Sequence, residues 1–161
     1  PKGRWYTGSA WGRTRLKKGI ANDAALTAYL KPQWRWLDAI QNDFAARADW
    51  CVKPYAQVNH APVVNLGHAL DLKFQPGRKV SLSASGTTDP DGDELIYRWW
   101  QYQQAGTFEG AIDIVNARKQ DASFTVPGHG GKGKTIHIIC EVTDKGTPPL
   151  TRYQRVAVEI E

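Results

Sequence analysis

The chain has 161 residues, which is long enough for one complete domain and part of a second. Its hydrophobic content of 41% is sufficient for a core. No stretch approaches the roughly 20 consecutive apolar residues of a membrane-spanning helix, so no membrane partner is expected. The net charge of +5 is concentrated, since residues 1–53 carry ten Lys or Arg against four Asp or Glu and residues 54–161 carry eleven against twelve. A basic, tryptophan-containing segment suits an anionic partner, but no nucleic-acid-binding motif occurs, and nucleic acid is not expected.

The first third of the chain is expected to be extended and then helical. Residues 1–21 lack hydrophobic periodicity, and Asn22-Asp23 is a plausible cap for a short helix over residues 24–30. Pro32 can occupy the first turn of a second helix that runs to about Ala48. Apolar residues at helical spacing on that helix must pack against something. Residues 53–62, with two prolines and little periodicity, are interpreted as a linker.

Seven short strands are predicted after the linker, at the regular spacing of a β-sandwich. They cover residues 63–74, 80–84, 95–102, 111–115, 123–126, 135–143 and 151–160. A tight acidic turn, Asp89-Pro90-Asp91-Gly92-Asp93, precedes the third strand, and a Gly/Pro loop follows the sixth. This pattern predicts a mainly β fold, an antiparallel sandwich of immunoglobulin or PKD type over residues 63–161, preceded by a short α-helical segment.

Alternation along the third strand separates its aromatic side chains between two faces. Leu95, Tyr97, Trp99 and Gln101 share one face, and Ile96, Arg98, Trp100 and Tyr102 share the other. Sandwiches of this type bury a tryptophan on this strand, so Trp99 is assigned to the core. Trp100 and Tyr102, with Arg98 beside them, are then candidate carbohydrate-binding residues, since exposed rings can stack on sugar faces. The alternative is that the N-terminal helices cover this face.

The acidic turn is a candidate metal site. Asp89, Asp91 and Asp93 with Gly92 have the spacing that opens a calcium loop, and their oxygens suit a hard cation. The twelfth position of such a loop is Trp100 rather than a carboxylate. Either a structural calcium binds here, with help from Asp144, or the aspartates bond to their own backbone in a turn.

The two cysteines are too few for a disulfide framework. Cys140 shares strand parity with inward-facing residues and is expected to be a buried, inert thiol. A bridge to Cys51, closing a loop of about 90 residues, is the alternative. The four histidines show no metal-ligand spacing, and neither Gly-x-Ser-x-Gly nor His-Glu-x-x-His occurs. The chain on its own is therefore not expected to be an enzyme.

Several segments together resemble a known family. They are residues 34–36, 41–52, 59–62, 89–93 and 142–150, and residues 41–52 are the most specific. They are similar to the C-terminal third of bacterial cellulose-binding proteins that have a nucleoside-hydrolase-like N-terminal domain and an immunoglobulin-like C-terminal domain. The resemblance implies that residues 1–52 are the tail of the hydrolase-like domain. It also implies a non-catalytic module that binds a polysaccharide or oligosaccharide, in a secreted or periplasmic bacterial protein.

The same resemblance suggests a second function. Nucleoside hydrolases carry a late His-Asp pair at the start of a helix, and its aspartate binds the catalytic calcium. Asn42-Asp43 looks like the counterpart, which implies that Asp43 is a calcium ligand, although Asn42 stands where those enzymes have His. The chain would then be a fragment of a calcium-dependent hydrolase whose main catalytic part lies elsewhere in the precursor or on another chain. From the residues alone, Asp43 is equally suited to pair with Arg47 four residues on.

Overall fold

The computed structural model describes residues 34–129 and 131–161, so the helix predicted over residues 24–30 lies outside the described residues. The chain divides into two units, residues 1–41 and residues 42–161. Helix α1 (Leu37–Trp50) has Asp38 in its first turn and Arg47 in its last, which complements the helix dipole at both ends. It begins later and ends later than the predicted second helix.

Six strands form two sheets in the described part of the chain. They are β1 (Asp71–Phe74), β2 (Lys79–Ser83), β3 (Ile96–Gln101), β4 (Asp121–Thr125), β5 (Thr135–Thr143) and β6 (Thr151–Ile160). One sheet has the order β1-β6-β5-β3, and the other consists of β2 and β4. All pairs are antiparallel except β1 with β6, which is parallel.

The core lies between the two sheets, where alternate residues of the strands point inward. Strand β5 shows the period of two that a half-buried strand requires, with Ile136, Ile138, Cys140 and Val142 all fully buried. They pack with inward residues of the other strands, among them Val80, Leu82, Trp99, Phe124, Val156, Val158 and Ile160. The predicted immunoglobulin/PKD-like sandwich is confirmed.

Both cysteines are free, Cys51 on the surface and Cys140 in the core. Burial, with a smaller contribution from Glu141, raises the pKa of the Cys140 thiol to about 12. Cys140 is therefore the inert buried thiol that its strand parity predicts.

The strand predicted over residues 111–115 is wrong. Only Val115 pairs there, in a single bridge to Ser123, although Ile112 and Ile114 pack against the core. The side chain of Gln101 replaces a strand partner, since its Nε2 donates to the Gly110 carbonyl (2.8 Å) and its Oε1 accepts from the Ile112 amide (3.0 Å). Ile112 and Ile114 therefore pack against the core without belonging to a hydrogen-bonded strand. The strand predicted over 63–74 is likewise limited to β1, with a bridge from Val63 to Thr88.

Residues 42–62 are packed into the sandwich unit. The Asn42 amide donates to the Pro149 carbonyl (3.0 Å), and the Trp50 indole N–H donates to the Asn59 carbonyl (2.9 Å). Asn59 and Pro62 are buried, so the segment predicted as a linker is not a free spacer. Among the described residues, no helix combines the length and apolar character needed to cross a membrane.

Candidate functional site

The outer face of the four-stranded sheet brings the predicted binding residues together with others. Two rows of cross-strand neighbours run over β3, β5 and β6, namely Trp100–Ile139–Arg155 and Arg98–Glu141–Tyr153. Trp99, on the opposite face of β3, is 2% exposed and donates its indole N–H to the Lys119 carbonyl (3.0 Å). The parity assignment of this strand is therefore confirmed. We use the name outer surface for these six residues together with Tyr102.

Glu141 holds the Trp100 ring in place. Its Oε2 accepts the Trp100 indole N–H (3.0 Å), and its Oε1 lies 3.7 Å from Nη1 of Arg98. The rings of Trp100 and Tyr102 meet edge to face, with centroids 5.7 Å apart and planes at 61°. Because their partners fix these rings, a ligand that stacks on them need not order them first.

The outer surface combines apolar and polar groups. Trp100, Tyr102 and Tyr153 are half-buried, and the side chain of Arg98 is 61% exposed. Ile139 lies on the same side of the sheet but is only 5% exposed. Burial, together with the nearby Arg155 charge, lowers the pKa of His137 at the Tyr102 end, which favours a neutral imidazole there. The outer surface thus combines three half-buried aromatic rings with hydrogen-bonding groups beside them.

Sequence reasoning missed Glu141, Tyr153 and Arg155. The alternation of residues between the two faces of β5 and β6 places all three on one side of their strands, and this pattern can be read from the sequence. Their proximity to Trp100 depends on how β5 registers with β3 and with β6, which alternation alone does not determine.

The acidic turn brings its three aspartates together. Asp89 Oδ1 accepts the backbone N–H groups of Asp91 (2.9 Å) and Asp93 (3.1 Å), as the turn interpretation predicts. Asp91 accepts from the His60 backbone N–H (2.6 Å), and its Oδ1 lies 2.9 Å from the His60 ring nitrogen. One carboxylate oxygen from each aspartate lies within 4.8 Å of the others.

Two features of this turn fit a hard cation. Asp89 Oδ2 is shielded from solvent and has no hydrogen-bond partner. Desolvation, and then the charges of Asp89, Asp144 and Asp91, raise the pKa of Asp93. A cation would relieve that repulsion. Asp144 does not fit the helper role, because its oxygens already accept from Asn59, Gly146 and Leu150.

Calcium binding at the turn stays a prediction, and we expect calcium to raise the melting temperature relative to EDTA at neutral pH. At about 100 times its dissociation constant, a ligand of the folded state adds about 2.7 kcal/mol of stability. The raised pKa of Asp93 means that its ionisation costs stability as the pH rises through that pKa. Asp93→Asn should therefore raise the melting temperature in EDTA and remove the calcium response. Asp113→Asn, at an exposed aspartate elsewhere, is the control. Identical melting curves in calcium and EDTA would rule the site out.

Asp43 is held by two guanidinium groups. Its Oδ2 accepts from Arg47 Nε (2.6 Å), and its Oδ1 accepts from Arg152 Nη2 (3.0 Å). The hydrogen bond from Arg47 is the largest influence on the pKa of Asp43, which is lowered. Two neighbouring positive charges oppose a bound cation, so this arrangement does not fit the calcium role that the resemblance implied. It fits the ion-pair alternative.

Comparisons with known proteins show the family of the chain and its similarity to solved structures. A family model described as the C-terminal domain of cellulose-binding protein Sde0182 matches residues 79–160. The structure of a nucleoside hydrolase-related hypothetical protein from Saccharophagus degradans, associated with carbohydrate metabolism, is 38% identical with a TM-score of 0.76. The match covers 79% of this chain and 32% of that one, so this chain spans about a third of that protein. The PKD domain of the KIAA 1837 protein is 21% identical over 61% of this chain and 84% of its own, with a TM-score of 0.44. No curated protein matches significantly.

Proposed function

Because the chain belongs to the family of the C-terminal domain of cellulose-binding protein Sde0182, we propose that it is a non-catalytic polysaccharide-binding module. We place the binding site on the outer surface of the four-stranded sheet. The observation that carries this choice is the half-buried Trp100–Tyr102 pair, in which the Glu141 carboxylate fixes the Trp100 ring. A polysaccharide ligand also implies that the module acts outside the cytoplasm, as part of a secreted or periplasmic protein.

The chemistry of the surface suits binding. An aromatic ring presents a rigid apolar face to the C–H bonds of a pyranose, and Arg98 can donate hydrogen bonds to hydroxyl groups. Glycoside hydrolysis ordinarily needs two carboxyl groups on either side of the scissile bond. Glu141 is the carboxylate at the ring pair, and both its oxygens already face Trp100 and Arg98. These contacts suit a positioning role rather than acid–base catalysis.

Trp100→Ala is expected to weaken polysaccharide binding. Loss of one stacked ring costs roughly 1–2 kcal/mol by analogy with base stacking, which corresponds to about a tenfold loss of affinity. The melting temperature should barely change, because an outer-face side chain fills no core cavity. Affinity electrophoresis in gels that contain a neutral glucan or a polyuronate measures the effect and separates the two glycan classes.

Trp100→Phe is the matched variant, since it keeps a ring and should retain most of the binding. Equal retardation of wild type and Trp100→Ala in every gel that retards the wild type would remove the site from this surface. Unfolding of Trp100→Ala would show that the ring belongs to the core instead.

The second candidate function is a part in a larger nucleoside-hydrolase-like protein. The likeness to the Saccharophagus protein favours it, and so do two exposed apolar side chains, Phe44 (74%) and Val52 (80%), in the segment assigned to the hydrolase tail. The partner would be the remainder of such a domain. Since Asp43 is paired with Arg47 and Arg152, we expect this chain alone to release no ribose from nucleosides in calcium. Release by the chain alone would contradict both candidate functions, since both place the main catalytic residues outside this chain.

A further inference from the structure

The outer surface continues past the Trp100–Tyr102 pair to a third aromatic residue on β6. Resting on the proposed function, we propose that Tyr153 is a further sugar-stacking residue. The surface then binds an extended segment of several sugar units within a polysaccharide, rather than a single sugar or a chain end.

The sheet register places Tyr153 in one row with Arg98 and Glu141. Tyr153 lies opposite Glu141, and Glu141 lies opposite Arg98 and bonds to Trp100. Glu141 therefore stands between the two aromatic positions. Adjacent strands are roughly 4.7–4.9 Å apart, so Tyr153, two strands from Trp100 and two residues out of its row, is roughly 10–12 Å away. That separation exceeds the width of one sugar ring, and each aromatic residue would contact a different unit.

Ile139 lies between the two aromatic positions. It is the direct neighbour of Trp100 on β5 and belongs to the outer face, and it is only 5% exposed. The middle of the path is therefore a covered apolar position. Arg98, Glu141 and Arg155 add polar groups along the same path, at spacings set by the strands. A sugar chain that crosses the strands would meet rings and hydrogen-bonding groups in turn.

Exposed side chains lie at both ends of this path. Strand β3 is the last strand of the sheet, and its outer-face residues Ile96 and Arg98 are exposed, although the backbone of Trp99 bonds to Ala117 beside the strand. On the far side, Arg155 on β6 and Lys73 on β1 are also exposed. A glycan that lies across β3, β5 and β6 can leave the surface in both directions. Such a site accepts the interior of a polymer, whereas a site for a chain end must close at one side.

The test measures how affinity depends on the length of the ligand. Isothermal titration of the 161-residue chain with cello-oligosaccharides of two to six glucose units should show affinity rising with length. Tyr153→Ala should lose about tenfold in affinity for cellohexaose, the expected cost of one stacked ring, with little change for cellobiose. Tyr153→Phe should behave as wild type. Tyr153→Leu keeps apolar bulk at this position but lacks the ring, and should resemble the alanine variant even if the alanine variant folds poorly.

Tyr55→Ala is the matched control, because Tyr55 is 69% exposed and stacks on His60, away from the strands that carry the outer surface. It should bind all lengths as wild type does. If the wild type binds with the same affinity at every length, or if Tyr153→Leu binds cellohexaose as wild type does, the inference fails and the proposed function stands. If the wild type binds neither cello-oligosaccharides nor any polysaccharide in the affinity gels, both fail.

Discussion

Trp99→Ala is expected to destabilise the chain by about 3–5 kcal/mol, the typical cost of truncating a buried aromatic residue. Trp99 is among the largest fully buried side chains and is 2% exposed, between the inner faces of the two sheets. Truncation leaves a cavity and removes the indole N–H that the Lys119 carbonyl accepts. Equilibrium unfolding in urea measures the effect as a lower transition midpoint at an unchanged slope.

A comparison with Trp100→Ala separates a role in the core from a role in glycan binding. The two residues are adjacent and chemically identical, but they point to opposite sides of β3. Trp99→Ala should lose stability while its folded fraction still binds glycan, and Trp100→Ala should do the reverse. A decrease of less than about 1 kcal/mol in the free energy of unfolding is typical of the loss of a single buried methyl group. Such a result for Trp99→Ala would contradict the assignment of Trp99 to the core.

Asp144→Ala is expected to cost about 2–4 kcal/mol, because a buried donor left without its acceptor costs about 1–3 kcal/mol and two backbone donors lose theirs. Asp144 is 1% exposed, and its Oδ1 accepts the backbone N–H groups of Gly146 (3.0 Å) and Leu150 (2.9 Å). Both its oxygens also accept from Asn59 Nδ2, at 3.2 and 3.1 Å. Removal of the carboxylate leaves buried donors without an acceptor. The free energy of unfolding in urea measures the effect.

The control for Asp144 is the next residue. Lys145 pairs with Glu94 at 2.7 Å, but both side chains are largely exposed, so Lys145→Ala should cost no more than about 1 kcal/mol. Equal decreases in the free energy of unfolding for the two variants would contradict the role of Asp144 in holding the β5–β6 loop through hydrogen bonds. Gly146 belongs to the same arrangement, since any side chain there would overlap Asn59.

Strands with sustained alternation could be predicted from the sequence to the residue. The bounds predicted for the last two strands coincide with β5 and β6, because buried apolar residues recur at every second position along β5 and along the second half of β6. The separation of Trp99 from Trp100 follows from the same period. The strand predicted over residues 111–115 failed because the Gln101 side chain satisfies that backbone, a contact that alternation does not reveal.

The candidate site was predictable only in part. Arg98, Trp100 and Tyr102 belong to one short segment, so local alternation was sufficient to place them together. Glu141 and Tyr153 join them through the pairing of three strands. The register of β5 with β6 accompanies a loop that is fixed by a contact between Asn59 and Asp144, 85 residues apart in the chain. Contacts of that sequence separation are set by the whole fold rather than by local pattern.

The most direct test of the outer surface as the glycan-binding site is a titration observed at the tryptophan indole N–H groups. Two-dimensional ¹H–¹⁵N spectra of the 161-residue chain, recorded with increasing cellohexaose, report on each indole, and a Trp100→Phe variant assigns the Trp100 signal. The Trp100 indole, held by Glu141 on the outer surface, should shift progressively and saturate. The Trp99 indole, bonded to Lys119 in the core, should stay in place. Saturable shifts at other indoles with Trp100 unmoved would contradict the assignment of the binding surface.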